Sequence, residues 1–422
     1  MSIRLLFLGG VWPLNDSWLF RAYGAIIFSM GLATCVDGAL AVYFIWRQME
    51  ETTLVLTNTF TIGSGVMKMG LFVRDRKLYS ALVRRLDALV SSQDEYSGKD
   101  PQLEKVLEDS KRYAVRFPLS GFLFMLVQAC LWLPMPAIAY PGQHRLPFVQ
   151  HDWSGNGSYR FYEMSYALQC CSAFWLGKIS IILDCQFVAI MVLVTAQLKI
   201  LAVRMENLRT EAKSITEYRI CNDKSPEVEY DCKMYKDLRR CIESHQEILS
   251  WVAAGGWGVS TPVASQRGGI FLVRKSSGVV VPYQARLLMR TCRFLLPPSV
   301  GAEVAGSAAG VALVFAGLLA ACAPSQDFAT VLKCVAFLPV PCGQVFIYCW
   351  AADNMTEQAK AVSNAAYHCS WVDAGSRFKR TLLLVIGRAQ KRLVLTAGHL
   401  YTIDRAAFLS VGVRVISHLC YV

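Results

Sequence analysis

The chain has 422 residues, of which 54% are hydrophobic and only 18% charged, and its formal net charge is +12. Soluble domains are usually at most half apolar and about a quarter charged, and a mean hydropathy of +0.35 exceeds what compact water-soluble cores can hide. The composition therefore predicts a membrane protein and argues against a disordered chain, a disulfide scaffold or a coiled coil. In such a protein the basic excess reports orientation, and we do not expect nucleic acid as a partner.

Sequence motifs for metal binding and catalysis are missing. The 15 cysteines form no Cys-x-x-Cys pair and no Cys/His ligand spacing, so we expect neither a structural zinc site nor a disulfide framework. The chain also lacks a metalloprotease helix motif and a phosphate-binding Gly-Lys loop. We therefore expect no cofactor and no enzymatic activity.

Seven stretches are long and apolar enough to cross a bilayer, whose ~30 Å core needs ~20 residues of helix. In chain order they are Ala22 to Trp46, Leu54 to Val73, Phe117 to Ala139, Met164 to Ala196, Val300 to Cys322, Phe328 to Trp350 and Asp404 to Val422. The third stretch contains Pro134 and Pro136, which should kink its helix near the outer end. The pattern predicts an all-α membrane protein with seven transmembrane helices.

The distribution of Lys and Arg among the connecting segments predicts the orientation. If the N-terminus is cytoplasmic, the inner segments hold 19 basic residues: 2 before the first span, 10 after the second and 7 after the sixth. The outer segments then hold only Arg47, Arg145 and Arg160. The positive-inside rule therefore predicts an inverted topology, with the N-terminus in the cytoplasm and the C-terminus outside.

Three Asn-x-Ser/Thr triplets begin at Asn15, Asn156 and Asn354. With this topology only Asn156 faces the outside, in a polar stretch rich in Gly and Ser. We therefore expect N-glycosylation at Asn156.

Several inner segments have the pattern of amphipathic helices. One of them, Lys77 to Leu89, has a leucine every three or four residues along one face. Three more are charged and helical in pattern: Met205 to Glu217, Tyr235 to Leu249 and Ala359 to Leu395. We expect the spans to continue as helices into the cytoplasm and to pack there.

The most specific motif lies near the C-terminal end. It comprises Tyr348-Cys349-Trp350, Thr356-Glu357-Gln358, Ala361 to Tyr367, Trp371, Arg377-Phe378-Lys379, Arg388-Ala389-Gln390-Lys391 and Leu395-Thr396-Ala397-Gly398. In this order and spacing the chain resembles the C-terminal signature of insect odorant receptors. Weaker similarity at Gly10 to Pro13 and His245 to Leu249 extends the resemblance to about 1–250 and 295–422.

The resemblance implies that 1–422 form one subunit of a ligand-gated, non-selective cation channel in the plasma membrane of a sensory-neuron dendrite. Such a subunit binds a small volatile odorant and assembles with a shared co-receptor subunit into a hetero-tetramer within membrane lipid. The resemblance further implies that 348–395 form a cytoplasmic anchor region and that 404–422 form the pore-lining last helix.

Residues 251–291 depart from the family pattern. They contain Gly255-Gly256, Gly268-Gly269 and Val279 to Val281 and show no sustained helical period. We interpret the segment as an atypical insert, either a retained intron or a genuine loop. Transcript reads or peptides that join Ser250 to the region of Arg293 would establish the intron.

The resemblance places the pore on one face of the last helix and the position beside it. These residues are Val411, Val415, His418, Leu419 and Val422. An apolar ring of this kind gates by dewetting. Arg414 would repel cations, so we place it at a subunit contact.

The resemblance also implies an odorant pocket in the outer half of the bundle, between helices two, three, four and six. A small apolar ligand needs aromatic side chains, methionine and a few polar groups. The candidates are Phe60, Met125, Gln128, Trp132, Tyr140, Tyr166, Gln169, Phe174 and Phe337. Ordinary helix packing is the alternative for each of them singly.

Among the charges within the predicted spans, we expect Lys68, Lys178 and Asp184 to be buried. Lys178 and Asp184 do not share a helical face, so each would have to reach a group on another helix. The resemblance extends the fourth helix into the cytoplasm, which would leave Asp184 exposed to water.

Other receptor and transporter classes fit less well. A G-protein-coupled receptor has the opposite charge bias and an Asp-Arg-Tyr motif after the third span, which this chain lacks. A gustatory-type chemoreceptor channel is the nearer alternative, but the last helix lacks a closing Gln-Phe. A transporter or membrane enzyme is disfavoured because there is no internal repeat and no convergent set of catalytic residues.

Overall fold

In the computed structural model, long helices surround one central helix, Tyr162–Glu206. The helices are α1 (Trp18–Ile45), α2 (Met49–Arg74), α3 (Arg76–Ser97), α4 (Pro101–Trp132), α5 (Met135–Ala139), α6 (Tyr162–Glu206), α7 (Pro226–Ala254), α8 (Pro339–His368) and α9 (Ser376–Ala389). A small antiparallel hairpin, β1 (Thr396–Ala397) and β2 (Tyr401–Thr402), pairs Thr396 with Thr402 and precedes a helical segment over 405–410. The structure describes residues 17–45, 49–74, 76–97, 101–139, 146–148, 162–208, 226–254, 339–391, 393, 396–397 and 401–410.

Three of the described helices are long and apolar enough to cross a membrane: Trp18–Phe44, Pro101–Ile138 and Tyr162–Glu206. They contain the first, third and fourth predicted spans. α2 covers the second predicted span but is less apolar, because it carries several threonines, an asparagine and a lysine. α8 begins inside the sixth predicted span and continues well past its end.

α6 is the central helix because it is apolar on every side, and such a helix must be buried all round. It packs against α1, α2, α4, α7 and α8. In its most apolar window 72% of the residues are buried, against 6% in the corresponding window of α4. α6 therefore forms the core, while α4 presents its apolar residues to the surroundings.

α2 and α6 run in the same direction in close contact. A Cβ atom on Gly65 would lie 3.1 Å from the carbonyl oxygen of Leu176, so glycine allows this approach. About one turn further along, Lys68 reaches Ser180 on α6. Successive turns of α2 therefore face successive turns of α6, and this register aligns the polar residues of the two helices.

We predicted a kink at the two prolines near the end of the third span, and the structure has a break in the helix there. α4 ends at Trp132, and the chain resumes helical structure in α5 from Met135 to Ala139. Proline lacks the N–H that a continuing helix needs, so the break follows from Pro134 and Pro136.

Below the spans, α3, α7 and α8 pack against the lower part of α6, and α9 packs on α7 and α8 in the same apolar core. The prediction of a helix over Lys77 to Leu89 is confirmed by α3, whose leucines at 82, 86 and 89 are buried. The prediction of one helical segment over Ala359 to Leu395 is wrong in one respect. α8 ends at His368, and α9 starts only after a turn at 369–375.

Several predicted features lie outside the described residues: the fifth span, residues 255–291, the pore positions from Val411 onward and Asn156. The first four residues of the predicted insert belong to the last turn of α7. Val252 in that turn is completely buried.

α7 and α9 meet at a buried histidine and a cation–π contact. His245 is 5% exposed, and burial together with the positive charge of Arg388 lowers its pKa to about 4. The guanidinium of Arg377 lies over the ring of Tyr235, 4.5 Å from its centroid. Burial and the charge of Arg388 thus favour neutral His245 in the folded protein.

Lowering the pH from 7 to 5 should therefore destabilise this helical packing. The imidazole binds a proton below about pH 6.5 when unfolding exposes it, but only near pH 4 in the folded protein. The unfolded state thus binds more protons between these values, and about 2 kcal/mol of stability should be lost at pH 5. The apparent Tm in detergent should fall less for His245→Gln than for the wild type, whereas exposed His368→Gln should behave as wild type. Equal pH sensitivity of wild type and His245→Gln would contradict this prediction.

Candidate functional site

A buried ion pair joins three helices inside the bundle. Nζ of Lys68 on α2 lies 2.7 Å from Oδ1 and 2.8 Å from Oδ2 of Asp184 on α6. Both residues are buried, at 3% and 5% exposure. Gln344 and Tyr348, one turn apart on α8, donate to the two carboxylate oxygens at 2.9 Å, and Ser180 accepts from Lys68 at 3.2 Å. We call these five residues the ionic centre.

The carboxylate of Asp184 accepts four hydrogen bonds, two at each oxygen. A charge in an apolar bundle is costly unless such partners surround it. The expectation that Asp184 is exposed to water is therefore wrong. Its counter-ion, Lys68, lies 116 residues away in sequence, so only the packing of α2 on α6 brings the two together.

A second group of interacting residues, here called the outer cluster, lies at the outer ends of α4 and α6. It consists of Trp132, Leu133, Phe148, Tyr166 and Gln169. The hydroxyl of Tyr166 donates to the carbonyl oxygen of Leu133, 2.5 Å away, where α4 is broken. Oε1 of Gln169 accepts from the backbone N–H of Phe148 at 3.2 Å. The rings of Trp132 and Phe148 stack with centroids 6.3 Å apart. Aromatic surface and hydrogen-bonding groups therefore lie side by side.

Three predicted pocket residues, Trp132, Tyr166 and Gln169, thus meet in the outer cluster. Met125 lies on α4, seven residues before Trp132, and packs against Gly177 of α6. A Cβ atom added to Gly177 would lie 2.8 Å from the methyl group of Met125. Phe174 lies next to Lys178 on α6. Phe60 and Gln128 are half-buried, and Tyr140 and Phe337 lie outside the described residues.

Sequence reasoning missed Asn58 on α2. Its amide nitrogen is buried with no acceptor among the described residues. Asn58 is seven residues before Gly65, so it lies on the same face of α2. Because α2 and α6 run in parallel, the residue at its level on α6 is Gln169, seven residues before Leu176. The signal available in the sequence was that Asn58 is the one amide side chain in the second predicted span. The predicted pocket residue Phe60 lies on nearly the opposite face of α2 from Asn58.

The start of the last predicted span is bound to α8. Nε of Arg405 lies 2.9 Å from Oδ2 of Asp353, and its Nη2 donates to Oδ1 of Asn354 at 2.8 Å. Oδ1 of Asp404 accepts from the N–H of Ala407 at 2.6 Å and so caps the helical segment. Motion of α8 would therefore reach the base of the last span directly.

Among the described residues no group of three or more His, Cys, Asp or Glu side chains is placed to hold a metal ion. The polar atoms of the ionic centre are engaged with one another. The outer cluster offers aromatic contact, and the unpartnered amide of Asn58 lies at its level on α2, which suits reversible binding of a small molecule.

Asp184→Leu should destabilise the protein by about 3–5 kcal/mol, because it leaves Lys68 as an uncompensated buried charge. The double variant Lys68→Met/Asp184→Leu should recover most of this loss, since it removes both charges. Apparent Tm from fluorescence-detected size-exclusion chromatography measures both effects. Glu108→Leu, which breaks an exposed pair with Arg112, should cost under about 1 kcal/mol. A double variant no more stable than Asp184→Leu would contradict this account.

A sequence profile of the family described as 7tm Odorant receptor matches residues 48–413. Odorant receptor 2a of Drosophila melanogaster is 28% identical over 86 residues, which are 20% of this chain and 22% of that protein. The Odorant receptor coreceptor of Aedes aegypti is 28% identical over 87 residues, 21% of this chain and 18% of that protein. The chain thus spans about a fifth of the length of the curated relatives it matches.

The fold is similar to that of the insect olfactory receptor OR5 from Machilis hrabei. That structure matches with a TM-score of 0.67 at 13% identity, covering 100% of this chain and 96% of the other. The same receptor in complex with eugenol matches with a TM-score of 0.63 at 14% identity. Because the family profile covers most of the sequence and the helical architecture agrees, the chain belongs to the 7tm odorant receptor family and has its all-helical, seven-span membrane fold.

Proposed function

We propose that the chain is the odorant-binding subunit of a ligand-gated, non-selective cation channel in the plasma membrane of an olfactory neuron. The observation that carries this is the outer cluster, with the unpartnered amide of Asn58 at its level. A receptor of the same fold is known in complex with eugenol, a small organic molecule, which supports a ligand of this kind. The similarity to coreceptors supports assembly with a co-receptor subunit.

The ligand of the outer cluster is a small volatile with a hydrogen-bond acceptor. Asn58 supplies a donor, while Trp132 and Phe148 supply aromatic surface. A buried donor left unpaired costs about 1–3 kcal/mol, so a ketone, ester or aldehyde oxygen that reaches it adds to affinity. A pure hydrocarbon of equal size lacks this contribution.

The topology that we propose has a cytoplasmic N-terminus and an extracellular C-terminus. The basic residues predicted to be inside support it. The surroundings of Asn354 agree, because its side chain accepts from Arg405 while the Thr356 hydroxyl donates to the carbonyls of Ala352 and Leu393. This triplet is engaged inside the fold and is poorly suited to carry a glycan.

Residues 348–395 would then hold the subunits together below the membrane, and 404–422 would line the pore. The support is the arrangement of the described part. α8 runs from the ionic centre at Tyr348 to the inner helices, and Asp353 on the same helix holds Arg405 at the base of the last span. Ligand-dependent shifts of α6 or α8 would reach the pore through this contact.

Tags at the two termini test the topology. In intact cells an antibody should reach a tag after Val422 but not one before Met1. The glycosidase-sensitive gel shift should vanish with Asn156→Gln and persist with Asn354→Gln as the matched control. Staining of the N-terminal tag on intact cells would reverse the assignment.

Current recordings with the co-receptor present test ligand binding and the pore separately. Asn58→Leu should raise the half-maximal concentration of acceptor-bearing volatiles about fivefold to tenfold, the value of one hydrogen bond. Asn58→Leu should leave the half-maximal concentration of hydrocarbons and the ion selectivity unchanged. Trp132→Ala should raise the half-maximal concentration of both ligand classes. Val415→Asp should instead alter selectivity or leak current without re-ranking ligands.

Gln246→Leu, an exposed amide on α7, is the control for Asn58→Leu and should change nothing. If Val415→Asp changed the ranking of odorants and left ion selectivity unchanged, the assignment of the last helix to the pore would be wrong.

The same recordings on a chain without 255–291 test the insert. We propose this boundary because Trp251 to Ala254 belong to α7, and a silent full chain beside a conducting shortened one would support a retained intron.

A further inference from the structure

Lys178 on α6 is a buried cation whose ammonium lies over three aromatic rings. Its Nζ lies 3.4 Å from the ring centroid of Phe174, 4.1 Å from that of Trp175 and 5.7 Å from that of Phe122. Lys178 is 9% exposed. No ion pair or hydrogen bond of its ammonium occurs within the described part of the chain.

Comparison with Lys68 shows that Lys178 lacks a hydrogen-bond acceptor and a counter-ion among the described residues. Lys68 is equally enclosed, yet it has a carboxylate and a hydroxyl to donate to. Aromatic faces attract an ammonium but accept no conventional hydrogen bond, so they compensate its burial only in part. Among the described residues the ammonium of Lys178 thus has no anion to donate to.

The neighbours of Lys178 on α1 and α4 indicate its depth in the membrane. Trp175 contacts Tyr23, near the start of α1, with ring centroids 6.0 Å apart. Phe122 follows the exposed, basic Arg116 by six residues on α4. Lys178 is 16 residues into α6, so it lies about 24 Å from the outer end of that helix. It therefore lies near the end of the membrane span where α1 begins, which is the cytoplasmic end in the proposed topology.

α1 and α4 flank this part of α6 from two sides. Each packs on α6, but the two have no extended interface with each other. Their outward surfaces carry exposed apolar residues, Ile26 on α1 and Leu123, Phe124 and Val127 on α4. An acyl chain can lie along these surfaces while a headgroup approaches Lys178 between the two helices.

We propose that Lys178 binds the phosphate of an anionic phospholipid from the cytoplasmic leaflet, between α1 and α4. A phosphate supplies the negative charge and the acceptors that the aromatic neighbours lack. The cytoplasmic leaflet is the one rich in anionic lipid, and basic pockets between helices on that side bind such headgroups. The leaflet assignment rests on the proposed topology, whereas the binding of an anionic lipid does not.

The full-length receptor in nanodiscs tests the site. Discs of phosphatidylcholine alone are compared with discs that also contain phosphatidylserine, which is present in both leaflets so that orientation does not matter. We expect phosphatidylserine to raise the apparent Tm and native mass spectrometry to detect a retained anionic lipid. Lys178→Met should lose both effects while remaining folded, because methionine fills a similar volume without a charge.

Lys178→Arg should keep the bound lipid, and Lys236→Met, at an exposed position on α7, should behave as wild type. An unchanged Tm shift and lipid count in Lys178→Met would overturn the proposal. Equal stability of the wild type in the two kinds of disc would also overturn it. Equal stabilisation by inorganic phosphate in phosphatidylcholine discs would show a site for a free anion and not for a lipid. The antibody test of the terminal tags stays independent of all these outcomes.

Discussion

The ion pair between Lys68 and Asp184 is the constraint on which the arrangement of the bundle depends. In an apolar interior neither charge is tolerable alone, so α2 and α6 must pack in the one register that joins them. Gln344 and Tyr348 satisfy the same carboxylate and thereby orient α8. Non-directional apolar contact leaves helices free to rotate and slide, whereas four directional hydrogen bonds do not.

Once that register is set, the two ends of the bundle acquire different properties. Toward the outside, Asn58 comes level with Gln169, beside the break in α4 that the prolines cause. Toward the inside, α8 continues to Asp353, which holds Arg405. The ionic centre lies between a place suited to a ligand and the base of the last span. Under the proposed function, a ligand that changes the packing of α6 would act on that base through α8.

Much of the fold was predictable because the membrane imposes simple rules. Apolar runs of sufficient length predicted α1, α4 and α6, and the prolines at 134 and 136 predicted a kink at the place where α4 ends. The candidate site was predictable only in part. Trp132, Tyr166 and Gln169 were chosen for their chemistry and lie together in the outer cluster, but Asn58 was missed because helix register decides which residue of α6 lies at its level. Asp184 was misjudged because its depth and its counter-ion depend on another helix.

The sequence by itself determined the membrane class, the predicted order of the spans, the predicted orientation and, through its C-terminal motif, the family resemblance. These follow from properties local to a segment: its length, its hydropathy and the charges at its ends. Only the tertiary structure decided that Lys68 meets Asp184, that Lys178 meets three aromatic rings in place of an anion, and that Arg405 is held by α8. Each of these joins residues on one helix to side chains on another. Helical periodicity specifies which face a residue occupies, but packing alone specifies which helix that face meets.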